Sequence, residues 1–402
     1  MVIFMKNMKK NFDFINLNQY NIYTINLNKK DFKKIYKCIY ILSKKYNSMI
    51  NELYKTEKNN IKFFDFNNQR KFIINHRNLL VNIINDLLKM YKKELKNLSV
   101  VFLSGSFARG TNKMSSDIDL HYFYKNNNYN YIYEEITSYI LSSVFNKSRD
   151  CIDPTFIFNI QSENKIMITN KMDKNKLNII LKYKFREIKY SYSSGKKRRF
   201  YLQYTNVRDI NKLFIYLNKE IKKENNEWCH CFDVIKGKDI FDKFYDEMFN
   251  REKIFINNNY ITSKIVKLKK IIENSKKNIT NNYISQYKHY YQSETFKWIY
   301  EYVSIIRFIL IKEKNTVKYL NLLEMYDTIQ ENTIIDKKIF IEIYKYMWNL
   351  EKLTVYCHES NINYGLHNND IIDYPLKELD ENLECLKKQI LNDLERLRGL
   401  YE

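Results

Sequence analysis

The sequence of 402 residues contains no apolar run long enough to cross a lipid bilayer. A membrane helix needs about 18 or more apolar residues, whereas the longest candidate, residues 305–311, is short and contains Arg307. Residues 1–10 lack the apolar core and cleavage site of a signal peptide. The six cysteines show no paired framework, which disfavours disulfides and fits a reducing compartment. We expect a cytoplasmic protein without membrane contact.

Glycine, proline and alanine are scarce: the chain has six glycines, two prolines and the single alanine Ala108. Lys, Asn, Ile, Tyr and Phe are abundant instead, and the net charge of +22 is spread along the whole chain. A basic surface favours nucleotide or nucleic-acid partners, but dispersed charge marks no single binding face. The scarcity makes one exception informative, because Gly105, Ala108 and Gly110 lie within six residues. This segment requires small side chains.

The periodicity of apolar residues changes twice along the chain. Helical spacing over residues 31–53 and 69–95 predicts an N-terminal helical region, residues 1–96. Residues 97–255 then read as a mixed α/β catalytic domain. Helical spacing returns from residue 206 onward, and residues 256–402 are predicted to form a C-terminal helical domain.

Short strands are predicted inside the catalytic domain. The apolar run at residues 98–103 is typical of a strand buried on both faces, and alternation over residues 118–124 indicates a second strand. After a helix at 131–145, further strands are predicted at 151–160, 165–169, 184–192 and 199–205.

Two aspartates one residue apart form a candidate metal site. Alternation along a strand places Asp117 and Asp119 on the same face, while Ile118 and Leu120 point into the core. Magnesium prefers rigidly held carboxylate oxygens close to bound phosphates. An Asp-x-Asp pair alone is also typical of an exposed turn, so its context decides the interpretation.

That context is the glycine-containing loop directly upstream. Gly105 lets backbone amides approach phosphate oxygens, and the Ser106 hydroxyl can donate to the same group. Arg109 offers a cation, and Thr111 ends the segment. The loop is therefore predicted to bind a triphosphate beside the paired aspartates.

Gly-Ser followed by a spacer and Asp-hydrophobic-Asp-hydrophobic resembles the signature of polymerase β-like nucleotidyltransferases. Gly105–Gly110 and Ser116–Leu120 match this pattern without a gap. The resemblance implies an α+β fold in which a mixed sheet has flanking helices, here with N-terminal helices and a C-terminal helical bundle added. It implies a third carboxylate on a later strand that binds metal and deprotonates the acceptor hydroxyl. Asp153 is the favoured candidate, and Asp150 is the alternative.

Two further segments resemble the uridylyltransferases that modify nitrogen-signalling proteins. Residues 228–241 are similar to their apolar, Asp, Gly-Asp-Leu-Phe element, with Lys238 inserted between Gly237 and Asp239. Residues 316–358 resemble the helical domain that follows. No His-Asp hydrolase signature is found downstream, which disfavours a bifunctional enzyme.

Two weaker patterns have simpler explanations. Cys229, His230 and Cys231 together with Cys357 and His358 contain zinc-type ligands, but their spacing is not that of a zinc finger. The basic run at residues 196–199 is typical of a solvated turn in so lysine-rich a chain, although it lies between two predicted strands of the catalytic domain.

These patterns predict a magnesium-dependent (or manganese-dependent) enzyme that transfers a nucleotide from a nucleoside triphosphate such as ATP. The acceptor is a hydroxyl of a protein, a small molecule or a nucleic acid. The alternative is a nucleotidyltransferase-fold antitoxin or regulatory module that holds nucleotide or RNA without turnover. Antitoxins of this type share the Gly-Ser-x-Ala-Arg-Gly pattern but are far shorter than this chain.

Overall fold

The computed structural model describes residues 12–17, 20–114, 116, 118–125, 136–137, 140–141, 143–145, 152–153, 165–168, 176–184, 233–275, 291, 295–313, 321–329, 334–359 and 369–402. The predicted α+β class is confirmed, because the described elements form one mixed sheet and one antiparallel sheet with flanking helices. None of the helices in these ranges is long and apolar enough to span a membrane.

A four-stranded mixed sheet lies at the centre of the predicted catalytic domain. Its strands in chain order are β3 (Leu98–Leu103), β4 (Ile118–Tyr124), β5 (Ile152–Asp153) and β8 (Asp233–Lys236). They are arranged β5-β4-β3-β8, with β5 parallel to β4 and the other pairs antiparallel. All six residues of β3 are buried, as a continuous apolar run on a central strand predicts.

A second sheet contains four antiparallel strands. These are β1 (Phe12–Leu17), β2 (Tyr20–Asn28), β6 (Lys165–Ile168) and β7 (Lys176–Lys184), in the order β1-β2-β7-β6. Strand β2 thus pairs over nine residues with a strand about 150 residues later in the chain. The first strands of the chain join a segment that lies beyond the predicted boundary at residue 97.

Two long helices follow β2 and pack against each other. They are α1 (Lys29–Lys62) and α2 (Phe66–Met90), which lie where helical spacing predicted them. Helix α2 begins after Asp65, whose side chain accepts a hydrogen bond of 2.7 Å from the Asn68 amide. Such a cap satisfies one of the amides left unpaired at a helix start.

Every described element after β8 is a helix. The helices are α4 (Lys238–Phe255), α5 (Asn258–Glu273), α6 (Thr295–Lys312), α7 (Leu322–Ile329), α8 (Lys337–Glu359) and α9 (Asn369–Tyr401); the short α3 (Gly105–Arg109) lies between β3 and β4. Helix α6 is buried along nearly its whole length, including Arg307. The helices predicted in the C-terminal third of the chain are confirmed.

Two parts of the chain form strands that periodicity did not predict, and one predicted strand lies mostly outside the described residues. Strands β1 and β2 lie within the predicted N-terminal helical region, but before residues 31–53, where helical spacing begins. Strand β7 (Lys176–Lys184) includes the first residue of the strand predicted at 184–192, and residues 185–192 lie outside the described residues. Asp233–Lys236 is a strand inside a stretch assigned to helices, since four residues are too few for periodicity to distinguish the two.

Candidate active site

The predicted phosphate loop is a short helix that starts at the end of β3. The Ser104 amide donates a 2.9 Å hydrogen bond to the Asp119 carbonyl oxygen, so the sheet pairing continues to the loop. Helix α3 then begins at Gly105, which has a φ of +63°, and is capped at its C-terminal end by Gly110, which has a φ of +72°. Both angles lie in the left-handed region that glycine adopts without strain. Two of the scarce glycines therefore define the two ends of the loop.

Gly105 also makes room for a carboxylate. A Cβ atom built on Gly105 would lie 1.7 Å from Oδ2 of Asp119 and 2.9 Å from its Cγ. No side chain fits at that distance, so the Asp119 carboxylate packs directly against the loop backbone. Asp119 itself is only partly buried, between the fully buried Ile118 and Leu120. The alternation predicted from sequence is confirmed for these three residues.

The backbone of Asp153 lies beside that of Asp119. Strands β4 and β5 are parallel, and Asp119 and Asp153 are direct partners in their register. Neighbouring strands are about 4.8 Å apart, so the two residues occupy adjacent positions on the sheet. The Asp117 and Asp150 predictions lie outside the described residues, as does the Asp153 side chain.

The other predicted phosphate ligands lie along the loop. Ser106 and Thr111 are partly exposed, and the Thr111 amide donates a 2.9 Å hydrogen bond to the Ser106 carbonyl oxygen. The Arg109 guanidinium lies 4.9 Å from the centre of the Tyr300 ring on α6, in a cation–π contact. Sequence reasoning had considered Arg109 only as a phosphate ligand.

Behind the loop, a buried pair was missed by sequence reasoning. Ser104 Oγ lies 2.8 Å from His121 Nε2, and the His121 ring stacks on Phe102 at 4.9 Å. Ser104 is the residue before α3, yet its hydroxyl does not cap that helix. The only signal in the sequence was strand alternation. His121 lies two residues after Asp119 and therefore on the same face of the strand.

The chain that leaves the loop is anchored to the N-terminal helices. The Asn112 side-chain amide lies 3.2 Å from His76 Nδ1, and it donates to the Ile73 carbonyl oxygen at 3.3 Å. The Met114 amide donates a 2.7 Å hydrogen bond to the Glu57 carboxylate. Asn112, His76 and Glu57 are all buried. Helices α1 and α2 therefore fix the segment that connects the loop to Asp119.

On the other side of β3, Asp233 takes part in an ion pair. It is paired with Leu103 in the sheet register, and its Oδ2 accepts a 2.5 Å hydrogen bond from Arg77 Nε. The Asp233 carboxylate is thus charge-compensated by α2.

The described part of the site contains some of the oxygen ligands that a hard cation needs. Across the described ranges, no three His, Cys, Asp or Glu residues form a group that could hold a metal ion. Asp119 supplies one carboxylate, held against a loop with no side chain in the way, and the register puts a second aspartate beside it. Oxygen donors of this kind are the ligands that Mg²⁺ prefers. The residues present therefore fit such an ion.

The remaining sequence predictions fall elsewhere. Cys229, His230, Cys231 and the basic run at 196–199 lie outside the described residues. Cys357 and His358 lie on α8, but their side chains are not described.

Comparison with known protein families gives a match to one part of the chain. Residues 84–176 match the family model described as "Polymerase beta, Nucleotidyltransferase". The match begins within α2, includes the loop, Asp119 and Asp153, and ends at the first residue of β7. It covers about a quarter of the chain and supports the polymerase β-like superfamily and a nucleotidyltransferase-type function. No curated protein sequence matches the chain.

Proposed function

We propose that the protein transfers a nucleoside monophosphate from a nucleoside triphosphate to an acceptor hydroxyl. The observation that carries this proposal is the contact between Gly105 and Asp119, which joins a phosphate-type loop to a carboxylate with no room for a side chain. The match of residues 84–176 to the nucleotidyltransferase family supports it.

Asp117, Asp119 and Asp153 would together hold Mg²⁺ or Mn²⁺. When bound, the metal supplies positive charge at the reacting phosphate and lowers the pKa of the acceptor hydroxyl. The protein's own contribution is rigidity. Asp119 lies on a strand between two fully buried residues, so its carboxylate is held at a fixed distance from the loop.

The remaining groups would bind and orient the substrate. The Ser106 hydroxyl and the loop amides would donate hydrogen bonds to the triphosphate, and Arg109 and Thr111 would lie alongside it. The acceptor oxygen forms a bond to the α-phosphorus, and the bond from the α-phosphorus to its bridging oxygen breaks. Pyrophosphate leaves with that electron pair, and the hydroxyl proton passes to the Asp153 carboxylate.

Acceptor identity is a finer proposal. The segment that resembles the uridylyltransferase element contains the strand Asp233–Lys236, a turn at Gly237 and the start of helix α4, and Phe241 packs on Phe102 with ring centres 5.4 Å apart. The resemblance of this segment supports a protein acceptor, as in the uridylyltransferases. A cytoplasmic location remains a prediction from the cysteine pattern.

The test is a panel of four α-labelled triphosphates, each incubated with the protein, Mg²⁺ and a cell lysate. We expect one label to enter an acceptor, and Asp119→Asn to abolish this incorporation. Asp86→Asn is the matched control, because Asp86 lies on α2 and forms an ion pair with Lys45 of α1. Binding of triphosphate or RNA without incorporation, equal in wild type and Asp119→Asn, would favour the antitoxin or regulatory module instead.

A further inference from the structure

The turn that ends the phosphate loop is hydrogen-bonded by the C-terminal half of the chain. The Ala108 carbonyl oxygen accepts a 3.2 Å hydrogen bond from the Asn321 side-chain amide. The Gly110 carbonyl oxygen accepts a 2.8 Å hydrogen bond from the Tyr344 hydroxyl. Both carbonyls lie at the C-terminal end of α3. The last backbone acceptors of any helix have no partner within the helix itself. Residues more than 200 positions away therefore satisfy them.

Asn321 joins the loop to the start of α7. Its Oδ1 accepts hydrogen bonds from the amides of Leu323 at 3.0 Å and Glu324 at 3.2 Å, while its Nδ2 donates to Ala108. One side chain thus caps α7 and holds the loop. Its two functions use different atoms, so they can be separated by substitution.

Gly110 allows this close approach. A Cβ atom on Gly110 would lie 3.1 Å from Oδ1 of Asn321 and 3.2 Å from Cγ of Leu323. The loop backbone at Gly110 therefore packs directly against the side chains of Asn321 and Leu323 at the start of α7. A larger residue at position 110 would therefore crowd these side chains, in addition to the strain that the positive φ would cause.

Tyr344 is fully enclosed. Its side chain is 1 % exposed, and its ring packs edge-on against Phe66 with ring centres 5.3 Å apart. Burial raises the pKa of the Tyr344 hydroxyl well above its usual value, so it remains a donor throughout the physiological range. Losing a buried partner leaves a carbonyl desolvated and unpaired, which is costly.

We propose that Asn321 and Tyr344 are positioning residues that hold the phosphate loop in the conformation that binds the triphosphate. This inference rests on the proposed function, because it assigns these residues to the same site. Helix α3 has only five residues, with Gly105 against Asp119 at one end and Gly110 against α7 at the other. A shift of the Gly110 end therefore moves the amides next to Asp119. The C-terminal helices would thus contribute to triphosphate affinity.

Tyr344→Phe removes one hydroxyl and leaves the ring in place. The matched control is Tyr346→Phe on the same helix, because the buried Tyr346 hydroxyl donates at 3.0 Å to the carbonyl oxygen of Tyr291, away from the loop. Asn321→Asp keeps the oxygen that caps α7 and replaces the amide that donates to Ala108. All three changes are nearly isosteric, so folding is retained.

Two measurements are made on the full-length protein: Kd for MgATP and the other Mg-triphosphates by calorimetry, and amide hydrogen exchange of the peptide covering residues 104–112. We expect Tyr344→Phe and Asn321→Asp to weaken triphosphate binding about three- to tenfold, as the loss of one hydrogen bond predicts. Exchange in the loop should rise in both variants. Once an acceptor is known, KM for the triphosphate should rise more than kcat falls.

The outcomes are distinguishable. If the wild type binds triphosphate and Tyr344→Phe behaves like Tyr346→Phe in affinity and loop exchange, the positioning role is overturned while the proposed function stands. If the wild type binds no triphosphate, the proposed function fails, and the positioning role fails with it. Weakened binding in both loop variants, with the control unchanged, supports the inference.

Discussion

The sheet edge at Gly105 and the C-terminal helices accommodate charge in opposite ways. At the sheet edge, Asp119 is only partly buried and rests against a backbone that has no side chain. In the helices, Arg307 is 1 % exposed and is held by both carboxylate oxygens of Glu252, at 2.9 and 2.7 Å. A buried charge that is paired with an opposite charge contributes to the stability of the fold, whereas a partly exposed charge can interact with a ligand.

A second buried charged residue in the helices also has hydrogen-bond partners. Asp393 on α9 accepts a 2.8 Å hydrogen bond from the Tyr302 hydroxyl, and Arg396 donates to it at 2.5 Å. These contacts link α6 to α9 within the helical region. The difference between the regions predicts that changes at the sheet edge affect the reaction and that changes among the helices affect stability.

The largest effect is expected from Gly105→Ala. The new Cβ would coincide with the Asp119 carboxylate, and a φ of +63° strains any other residue. We expect nucleotide transfer to fall by at least about a thousandfold, equivalent to about 4 kcal/mol of barrier, while the free energy of unfolding falls by only about 1–3 kcal/mol.

The control for that change is Gly399→Ala. A Cβ on Gly399 meets nothing within 4 Å, and the residue lies within α9. Transfer should be unchanged, and helix stability should rise slightly. Normal transfer by Gly105→Ala, measured with the same labelled triphosphate, would refute the close packing of the loop on Asp119.

The next largest effect should appear in stability alone. Arg307→Met leaves the partly buried Glu252 carboxylate without this partner, and we expect the free energy of unfolding to fall by about 3 kcal/mol in urea titrations. Transfer per folded molecule should persist. Arg398→Met, at an exposed pair with Glu402, should cost less than about 1 kcal/mol. A reduction in transfer by Arg307→Met without a loss of stability would contradict the proposed difference between the two regions.

The smallest effect concerns pH. Burial raises the pKa of the Asp393 carboxyl, against the opposing effect of Arg396. As pH rises from the ordinary aspartate value of about 3.9 to the raised value, the folded protein keeps a proton that the unfolded chain has lost. Stability contributed by this group therefore decreases across that window. Asp393→Asn should remove the decrease.

The pKa of Asp86 is shifted in the opposite direction. The hydrogen bond from Lys45 lowers the pKa of its carboxyl, so its contribution is present above the ordinary value and is lost as pH falls through the lowered pKa. Asp86→Asn should flatten the acid side of the curve. Urea unfolding between pH 3 and 7 measures both slopes. Parallel curves for wild type and Asp393→Asn would contradict the assigned cause.

The loop and its carboxylate were predictable because their signals are local. Two scarce glycines and the only alanine stand out in a chain poor in small residues, and the alternation around Asp119 gives its strand face. Strand β3 was predictable for the same reason, because six consecutive buried residues form one continuous apolar run. The long helices repeat their apolar pattern over several turns.

Other features depend on contacts between distant segments. Strand β2 pairs with β7 about 150 residues later in the chain, and no local pattern indicates that partner, whereas β1 pairs with the neighbouring β2. Tyr344 and Asn321 look like ordinary residues of an amphipathic helix and a turn, yet they contact the loop across 234 and 213 positions. The predicted domain boundaries at 96 and 255 remain predictions.

The most direct test of the central claim is the position of the label that enters the acceptor. Matched reactions contain the same triphosphate labelled either at the α-phosphate or at the γ-phosphate, with Mg²⁺ and lysate. Nucleotidyl transfer predicts that the α-label enters the acceptor and that the γ-label leaves as pyrophosphate. Incorporation of the γ-label, or of neither label with any of the four triphosphates, would contradict the account.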